Sequence, residues 1–314
     1  MGVSESHGHI HGHPQTRRSS IIAGYSAVVI SVILIVIKAI AYYMSGSLGI
    51  LSSLTDSAID SIISIVALAS VYYANQPADS DHRWGHGKME AVSALFQSAM
   101  IAGGGVFIIA ESLDRLAHPQ EIKGFGIGIT VMVISIALSV LLVWIQRRSL
   151  AESKSLAIEA DSLHYSSDIV INAGALLVIL LSMKGAPYWV DALFALGVAA
   201  FMGKLAYDIA RKSLDMLLDK ELPEEERARI IKIIEDHNQV AGWHDLRTHN
   251  NGVGVVIIVD IEVDPTMSLL AAHAIAVQLE ELFLKFHPDA DVLIHVDPEG
   301  DKTDARHRIK GVHV

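Results

Sequence analysis

Two residue pairs, each spaced by four, carry the most evident chemistry of this chain. Asp56 and Asp60 stand in LSSLTDSAIDSIISIVALA, and His164 and Asp168 stand in ADSLHYSSDIV. On a helix, residues i and i+4 project from one face, so each pair offers two ligand atoms side by side. Together they supply three carboxylates and one imidazole. Such a set suits tetrahedral Zn2+ and would accept Cd2+ or Fe2+. Both pairs lie in segments long and apolar enough to read as membrane-spanning, and an ionisable side chain at mid-membrane costs about 3 kcal/mol or more, so it signals function by default. A divalent ion shared by the two pairs offsets that cost. The alternative is neutralisation by a structural lysine, and Lys38 in the first apolar segment is available. One lysine does not readily serve two aspartates, and this alternative leaves the second pair without a purpose. Asp161, one turn before His164, reads as a first-turn helix acid; attraction of ions toward the site is the other reading.

Further clusters lie outside these stretches. The loop QPADSDHRWGHGKMEA gathers Asp79, His82 and His86 around Gly85 and Gly87. Three ligands in a glycine-bearing loop can bind an ion without a rigid fold, and a solvated polar loop is the equal alternative. Nearer the C-terminus stand His244, Asp260, His273, His295 and Asp297. His295 and Asp297, at i and i+2, share a strand face, and the gathering of these residues at strand ends favours metal over plain surface histidines. His237, His249 and His287 lack evident partners and read as surface. HGHIHGH near the N-terminus alternates histidines, a composition that captures metal weakly while unfolded or else marks a cloning tag. With no cysteine in the chain, any metal site must use His, Asp or Glu.

The elements that position these residues follow from composition. Of 314 residues, 51% are hydrophobic and 19% charged, and the mean hydropathy is +0.41. This is too apolar for an ordinary soluble protein. A net charge of −11 argues against nucleic acid and suits a cationic partner. No apolar core lies near the start, so no signal peptide is expected. A bilayer core of about 30 Å needs roughly 20 apolar residues per helix, and six segments qualify: about 20–43, 47–73, 89–116, 124–145, 156–183 and 190–207. In the short loops, Arg17, Arg18, Arg83, Lys88, Arg147, Arg148, Lys154, Arg211 and Lys212 fall on one side, against Arg115, Lys123 and Lys184 on the other. The basic excess places both termini in the cytoplasm.

After about Asp219 the character changes. LPEEERARIIKIIEDH reads as a soluble helix start, GWHDLRTHNNGVGVVIIVDIEV as two strands joined at Asn-Asn-Gly, SLLAAHAIAVQLEELFLKF as an amphipathic helix and DADVLIHVD as a strand. The expected fold is an all-α bundle of six transmembrane helices followed by a cytoplasmic α+β unit of order αββαβ. The expected organisation is a His-rich tail at 1–18, the membrane domain at 19–218, the cytoplasmic domain at 219–298 and a disordered tail at 299–314.

GSLGILSSLTDSAID, QPADSDHRWGHGKMEA, ADSLHYSSD, DALFALG, WHDLRTH and IHVDP stand in that order. With them the chain resembles the cation diffusion facilitator family, in particular its bacterial zinc and ferrous-iron efflux members, over about residues 46–298. The resemblance implies a homodimer in the bacterial inner membrane, with cytoplasmic domains of ferredoxin- or metallochaperone-like fold. It implies a transport site of Asp56, Asp60, His164 and Asp168, and a loop site of Asp79, His82 and His86. It also implies a binuclear cytoplasmic site of His244, His273, His295 and Asp297, with Asp260 where close relatives carry His. Lys88 and Asp219 match a family salt bridge near the dimer axis, a hinge between the two halves.

The function expected is export of Zn2+, and also of Cd2+ or Fe2+, in exchange for protons by alternating access, without ATP and without enzymatic chemistry. An ATP-driven pump would need a DKTG phosphorylation sequence; DKTD at Asp301 carries Asp304 in place of the glycine, and no GxxxxGK[ST] run occurs. An intramembrane metalloprotease wants HExxH, and no His-Glu pair occurs. A membrane-bound metal sensor or buffer fits the same ligands and is separated from a carrier only by flux.

Overall fold

The computed structural model describes residues 14–45, 48–117, 125–153, 155–183 and 189–300. The N-terminal histidines, Lys123, Lys154, Lys184 and the DKTD stretch lie outside the described residues. Six long helices come first: α1 (Pro14–Ser45), α2 (Leu48–Ala74), α3 (Met89–Ala117), α4 (Phe125–Ser153), α5 (Leu156–Met183) and α6 (Trp189–Leu217). A shorter set follows: α7 (Glu224–Glu235), β1 (Gly242–Asn250), β2 (Val255–Val263), α8 (Leu269–Phe286) and β3 (Asp291–Pro298). The order αββαβ after α6 is the one the sequence pattern leads one to expect.

The chain divides into two compact units, one of residues 14–76 with 86–214 and one that includes 77–85 with 215–300. In the first unit the shortest helix has 27 residues and the longest 32. At about 1.5 Å per residue, each exceeds the roughly 30 Å of a bilayer core. Among the described residues, α1, α2, α3, α4 and α6 are long and apolar enough to cross a membrane. The similarly long α5 carries Glu159, Asp161, His164 and Asp168 in its first half. Helices α1, α4 and α6 run past the apolar segments read from sequence. A hydropathy window ends at Arg147 and Arg148 or at Arg211 and Lys212, but helical hydrogen bonding does not, and long basic side chains reach water from a helix end.

Helix α1 packs on α2 and α4, α4 on α5, and α5 also meets α2 and α3. The buried stripe of α1 is Ala23, Ala27, Ile30 and Leu34, at helical spacing. A Cβ at Gly174 on α5 would stand 1.7 Å from the tip of the Phe194 ring of α6, so any larger residue there would force that ring to move. Glu90, at the start of α3, accepts a hydrogen bond from Ser155 Oγ (2.6 Å) and one from the Ala157 N–H (3.5 Å). A side chain of α3 thereby satisfies the open N-terminus of α5.

In the second unit β1 pairs antiparallel with β2, and β2 pairs parallel with β3 across the α8 crossover. Ile257, Val259, Ile261 and Val263 of β2 face Ile230 and Ile234 of α7 and Ile275, Leu279 and Phe283 of α8. Burying each such side chain contributes about 1.5–3 kcal/mol. Ser268 caps α8 by accepting the Ala271 N–H. The hairpin turn uses Gly252 at φ +85°, and its N–H donates to Asn250 Oδ1. Because the helices take the odd-numbered face of β2, the even-numbered face is left uncovered by α7 and α8.

Candidate metal-binding sites

The α2–α5 contact brings Asp60, His164 and Asp168 together, with one ligand atom from each lying within 4.8 Å of the others. His164 Nε2 is 3.0 Å from Asp60 Oδ1 and 3.8 Å from Asp168 Oδ2. Nδ1 is buried and has no hydrogen-bond partner among the described residues. When Nε2 is protonated and Asp60 ionised, that nitrogen donates to Asp60 Oδ1. That point between two carboxylates is where a cation would replace a proton. The i,i+4 spacing explains why one imidazole reaches both acids: Asp168 is on its own helix and Asp60 on the facing one. Asp56, one turn from Asp60, is exposed, and its carboxylate is not in the converging group. Three of the four ligands expected from the sequence thus come together.

Around this cluster lies a polar seam that sequence reasoning only partly foresaw. Lys38 Nζ donates to Ser57 Oγ (2.6 Å) and to the Ser53 carbonyl (3.0 Å) rather than forming an ion pair with Asp56 or Asp60. Asp161 is not a first-turn acid: α5 begins at Leu156, and its first-turn acid is Glu159, paired with Lys212. Asp161 is fully buried and accepts from Gln146 Nε2 of α4 (2.6 Å) and Ser64 Oγ of α2 (3.2 Å). Ser64 Oγ also lies 3.0 Å from the Tyr165 hydroxyl. Gln146, a lone amide ahead of Arg147 and Arg148 in an apolar run, was the available sign of such a partner.

The second cluster occupies the open face of the sheet. Register pairs His244 with Asp260, Asp260 with His295 and Glu262 with Asp297. His244 Nδ1 is 3.6 Å from Asp260 Oδ2, and its Nε2 is 3.5 Å from Asp297 Oδ2 and 3.8 Å from Glu262 Oε1. His295 Nε2 lies 3.1 Å from Asp297 Oδ1. A β-bulge between His244 and Arg247 aims His244 here. Leu246 and Thr248 point to the core, and strict alternation would send His244 with them. Asp245, at φ +50°, is the extra residue that turns His244 outward. Burial pushes the Asp260 carboxyl above its ordinary range, with Asp297 and Asp245 adding to the effect and His244 and His295 opposing it. His273 sits on an exposed position of α8 and is not in a converging group, whereas Asp245 joins His244 and Asp260 in one. Asp245 and Glu262 were missed from sequence, although Glu262 shares a face with Asp260 at i,i+2.

In the connector between α2 and α3, ligand atoms of Asp79, His82 and His86 lie within 4.8 Å of one another. Asp79 Oδ1 accepts the backbone N–H of His82 (2.6 Å) and of Asp81 (2.9 Å). The His82 N–H above all holds the Asp79 carboxyl below the usual carboxylate range. Asp219, at φ +53°, lies 3.5 Å from His249 Nε2; Lys88 belongs to the other unit. The three histidines read as plain surface have partners: His237 with Gln278, His249 with Asp219 and His287 with Glu226.

Long membrane-spanning helices that bring carboxylates and an imidazole together, followed by a small α+β unit with a cluster of the same kind, define a multi-span membrane protein that handles cations. Two family profiles match in sequence order, the cation efflux transmembrane domain at residues 25–218 and the cation efflux protein cytoplasmic domain at residues 222–299. The chain is 41% identical over 277 residues to the cation-efflux pump FieF of Shewanella oneidensis, covering 88% of this chain and 93% of that one. It is 38% identical over 294 residues to FieF of Yersinia enterocolitica, covering 94% and 98%. Among solved structures it is similar to the cytosolic domain of a cation diffusion facilitator family protein (33% identity, TM-score 0.23, 24% of this chain and 93% of that one). It is also similar to the metal-bound C-terminal domain of the CzcD transporter from Thermotoga maritima (33% identity, TM-score 0.24, 26% and 99%). The chain belongs to the cation efflux family, the cation diffusion facilitators; it is a membrane transporter and not an enzyme.

Proposed function

We propose that this transporter exports Zn2+, and also Cd2+ and Fe2+, from the cytoplasm in exchange for protons by alternating access. The observation that carries the proposal is His164 Nε2 standing between the carboxylates of Asp60 and Asp168 on adjoining helices. Metal and proton compete for the same lone pairs, so binding one releases the other. The cargo ion enters from the cytoplasmic side and takes Nε2 of the imidazolium, whose Nε2 proton leaves to solution while the other ring proton stays on Nδ1 and keeps the ring neutral. Asp60, Asp168 and His164 hold the ion, and Asp56, one turn along α2, completes the set. On the far side protons take its place, and the protonated carrier returns. This cycle needs no ATP.

The same reading assigns His244, Asp260, His273, His295 and Asp297 to a cytoplasmic site whose filling biases the cycle by population shift. It assigns Asp79, His82 and His86 to a loop site. The protein acts as a homodimer in the bacterial inner membrane with both termini cytoplasmic. The tail 1–18, membrane domain 19–218, cytoplasmic domain 219–298 and tail 299–314 are its parts. The test is flux in ATP-free proteoliposomes holding a pH-sensitive dye, with a panel of Zn2+, Cd2+, Fe2+ and Ca2+. Zn2+ entry should drive proton exit in the unaltered protein, and Asp60→Ala should stop both. Binding without flux would instead support a sensor or buffer.

A further inference from the structure

Lys38 is the one lysine among the described residues whose side chain is buried, at 6% exposure. It lies in α1, whose 32 residues make it a spanning helix. A lysine placed in a bilayer normally turns back to water or pairs with an acid. Lys38 does neither. Its Nζ is anchored on α2 by the Ser57 hydroxyl at 2.6 Å and the Ser53 carbonyl at 3.0 Å. Both acceptors are neutral, and an ammonium carries three donors.

The placement of those anchors is informative. Ser53 and Ser57 are i,i+4 on α2, and Asp56 and Asp60 are i,i+4 on the same helix, three residues on from each serine. On a helix three residues bring a position back to within about 60° of its start. Lys38 thus stands on the flank of the acidic face. Its charge interacts electrostatically with Asp60, Asp168 and Asp56, the three carboxylates assigned to the cargo ion. The two serines hold the ammonium beside these acids, near enough to be felt and outside ion-pair distance.

We propose that Lys38 is a resident counter-cation of the transport site, tethered by Ser53 and Ser57, which weakens cation binding enough for the cargo to leave. This rests on the transport reading given above. The charges show why such a group is useful. Three carboxylates, a neutral imidazole and a divalent ion sum to −1, and the ammonium brings the loaded site to zero. A neutral loaded site crosses a low-dielectric medium at least cost. Without the lysine, the ion faces three carboxylates with no competing positive charge. It would bind more tightly and leave more slowly.

The experiment uses the full chain in proteoliposomes, with Zn2+ as the probe, and reads KM and maximal rate separately. The unaltered protein tests the transport reading, and if it moves no Zn2+ that reading falls and this inference falls with it. Given flux, Lys38→Met, which keeps length and removes charge, should lower KM about tenfold and lower the maximal rate. Lys38→Arg should keep KM within about twofold. Ser57→Ala, a small change that loosens the tether, should act in the opposite direction. The freed ammonium then competes with Zn2+ for the carboxylates, and KM should rise about threefold. A merely structural lysine predicts that Lys38→Met and Ser57→Ala both weaken transport through loss of folded protein, with KM unchanged. An unchanged or raised KM in Lys38→Met, or a KM in Ser57→Ala that does not rise, overturns the inference while leaving the transport reading in place. Should Lys38→Met not yield a monodisperse protein, Ser57→Ala alone decides by the sign of its KM shift.

Discussion

Between α2 and α5, His164 Nε2 lies 3.0 Å from one carboxylate and 3.8 Å from a second; on the sheet, His244 Nε2 lies 3.5 Å and 3.8 Å from two others. The ligand types are alike, but the supports differ. The helical cluster is held by two periodic faces pressed together inside a bundle, with Lys38, Asp161 and Gln146 hydrogen-bonded nearby. The sheet cluster is held by strand register and one bulge, on a face its own helices leave open. A ligand of the first kind cannot be replaced by water at little cost, whereas a ligand of the second kind can. The first arrangement suits a site through which every cargo ion passes, and the second a site that adjusts a rate.

The largest expected effect tests that division. His164→Ala removes the group between Asp60 and Asp168 and leaves two partly buried carboxylates facing each other without it. Zn2+ flux should fall by at least about 100-fold. His295→Ala acts on a more exposed ring, 65% accessible, and flux should fall by less than about tenfold. Equal losses in the two variants would show that the sheet cluster is as obligatory as the helical one.

The next prediction concerns support rather than ligand. Asp245 joins the group of His244 and Asp260, yet its positive φ also makes the bulge. Asp245→Gly keeps the bulge and should leave metal affinity of the sheet site within about threefold. Asp245→Val does not tolerate that φ, costs about 1–3 kcal/mol of strain and favours regular pairing, which turns His244 into the core. Metal binding at the sheet should then be lost. Deleting Asp245 gives a regular strand in which His244 still faces outward, so binding should survive. If Gly and the deletion both lose metal, Asp245 is a ligand in its own right. Equilibrium titration of the full chain in detergent reads all three.

How much of this was readable beforehand depends on range. The pairs Asp56/Asp60 and His164/Asp168 were legible because helical spacing is local and a carboxylate in an apolar run stands out. The same spacing could not say which of the two aspartates the facing imidazole would reach, and Asp56 is left aside. Strand alternation gave the αββαβ order and the shared face of His295 and Asp297. It would have misplaced His244, because no glycine marks the bulge and Asp245 takes the positive φ instead. Asp161 was misread because its burial comes from Gln146, fifteen positions upstream, and Ser64, on another helix. No local pattern carries that.

Asp260 sharpens the comparison with a smaller effect and an unusual sign. Its carboxyl lies above the ordinary carboxylate range because burial disfavours the charge. Between the unfolded value, about 3.9, and the raised folded value, the metal-free folded chain holds a proton that the unfolded chain has released. Its stability therefore falls as pH rises through that window. Asp260→Asn removes the buried charge and should raise the thermal midpoint of the metal-free protein at pH 7, while weakening metal binding about tenfold. Stability and affinity should move in opposite directions. In the unaltered protein, acidification should expel metal from this site at a higher pH than an unperturbed carboxylate allows. A variant that loses both stability and affinity would show that Asp260 is structural.

The smallest effect belongs to Asp79, where hydrogen bonding and charge can be separated. Its oxygen accepts the His82 and Asp81 N–H groups, which holds its carboxyl low. Its contribution to folding is present above the unfolded value and lost as pH falls through the lowered folded one. In Asp79→Asn the amide oxygen can still accept both N–H groups, so hydrogen exchange of residues 77–86 should stay as it is and only the charge should go. In Asp79→Ala the turn loses its acceptor, and exchange should quicken. If the loop serves as a metal site, the two variants should lose its metal equally, because an amide is a poor substitute for a carboxylate; flux should fall by less than about threefold in both. If only Asp79→Ala changes flux, the carboxylate shapes the connector and binds nothing.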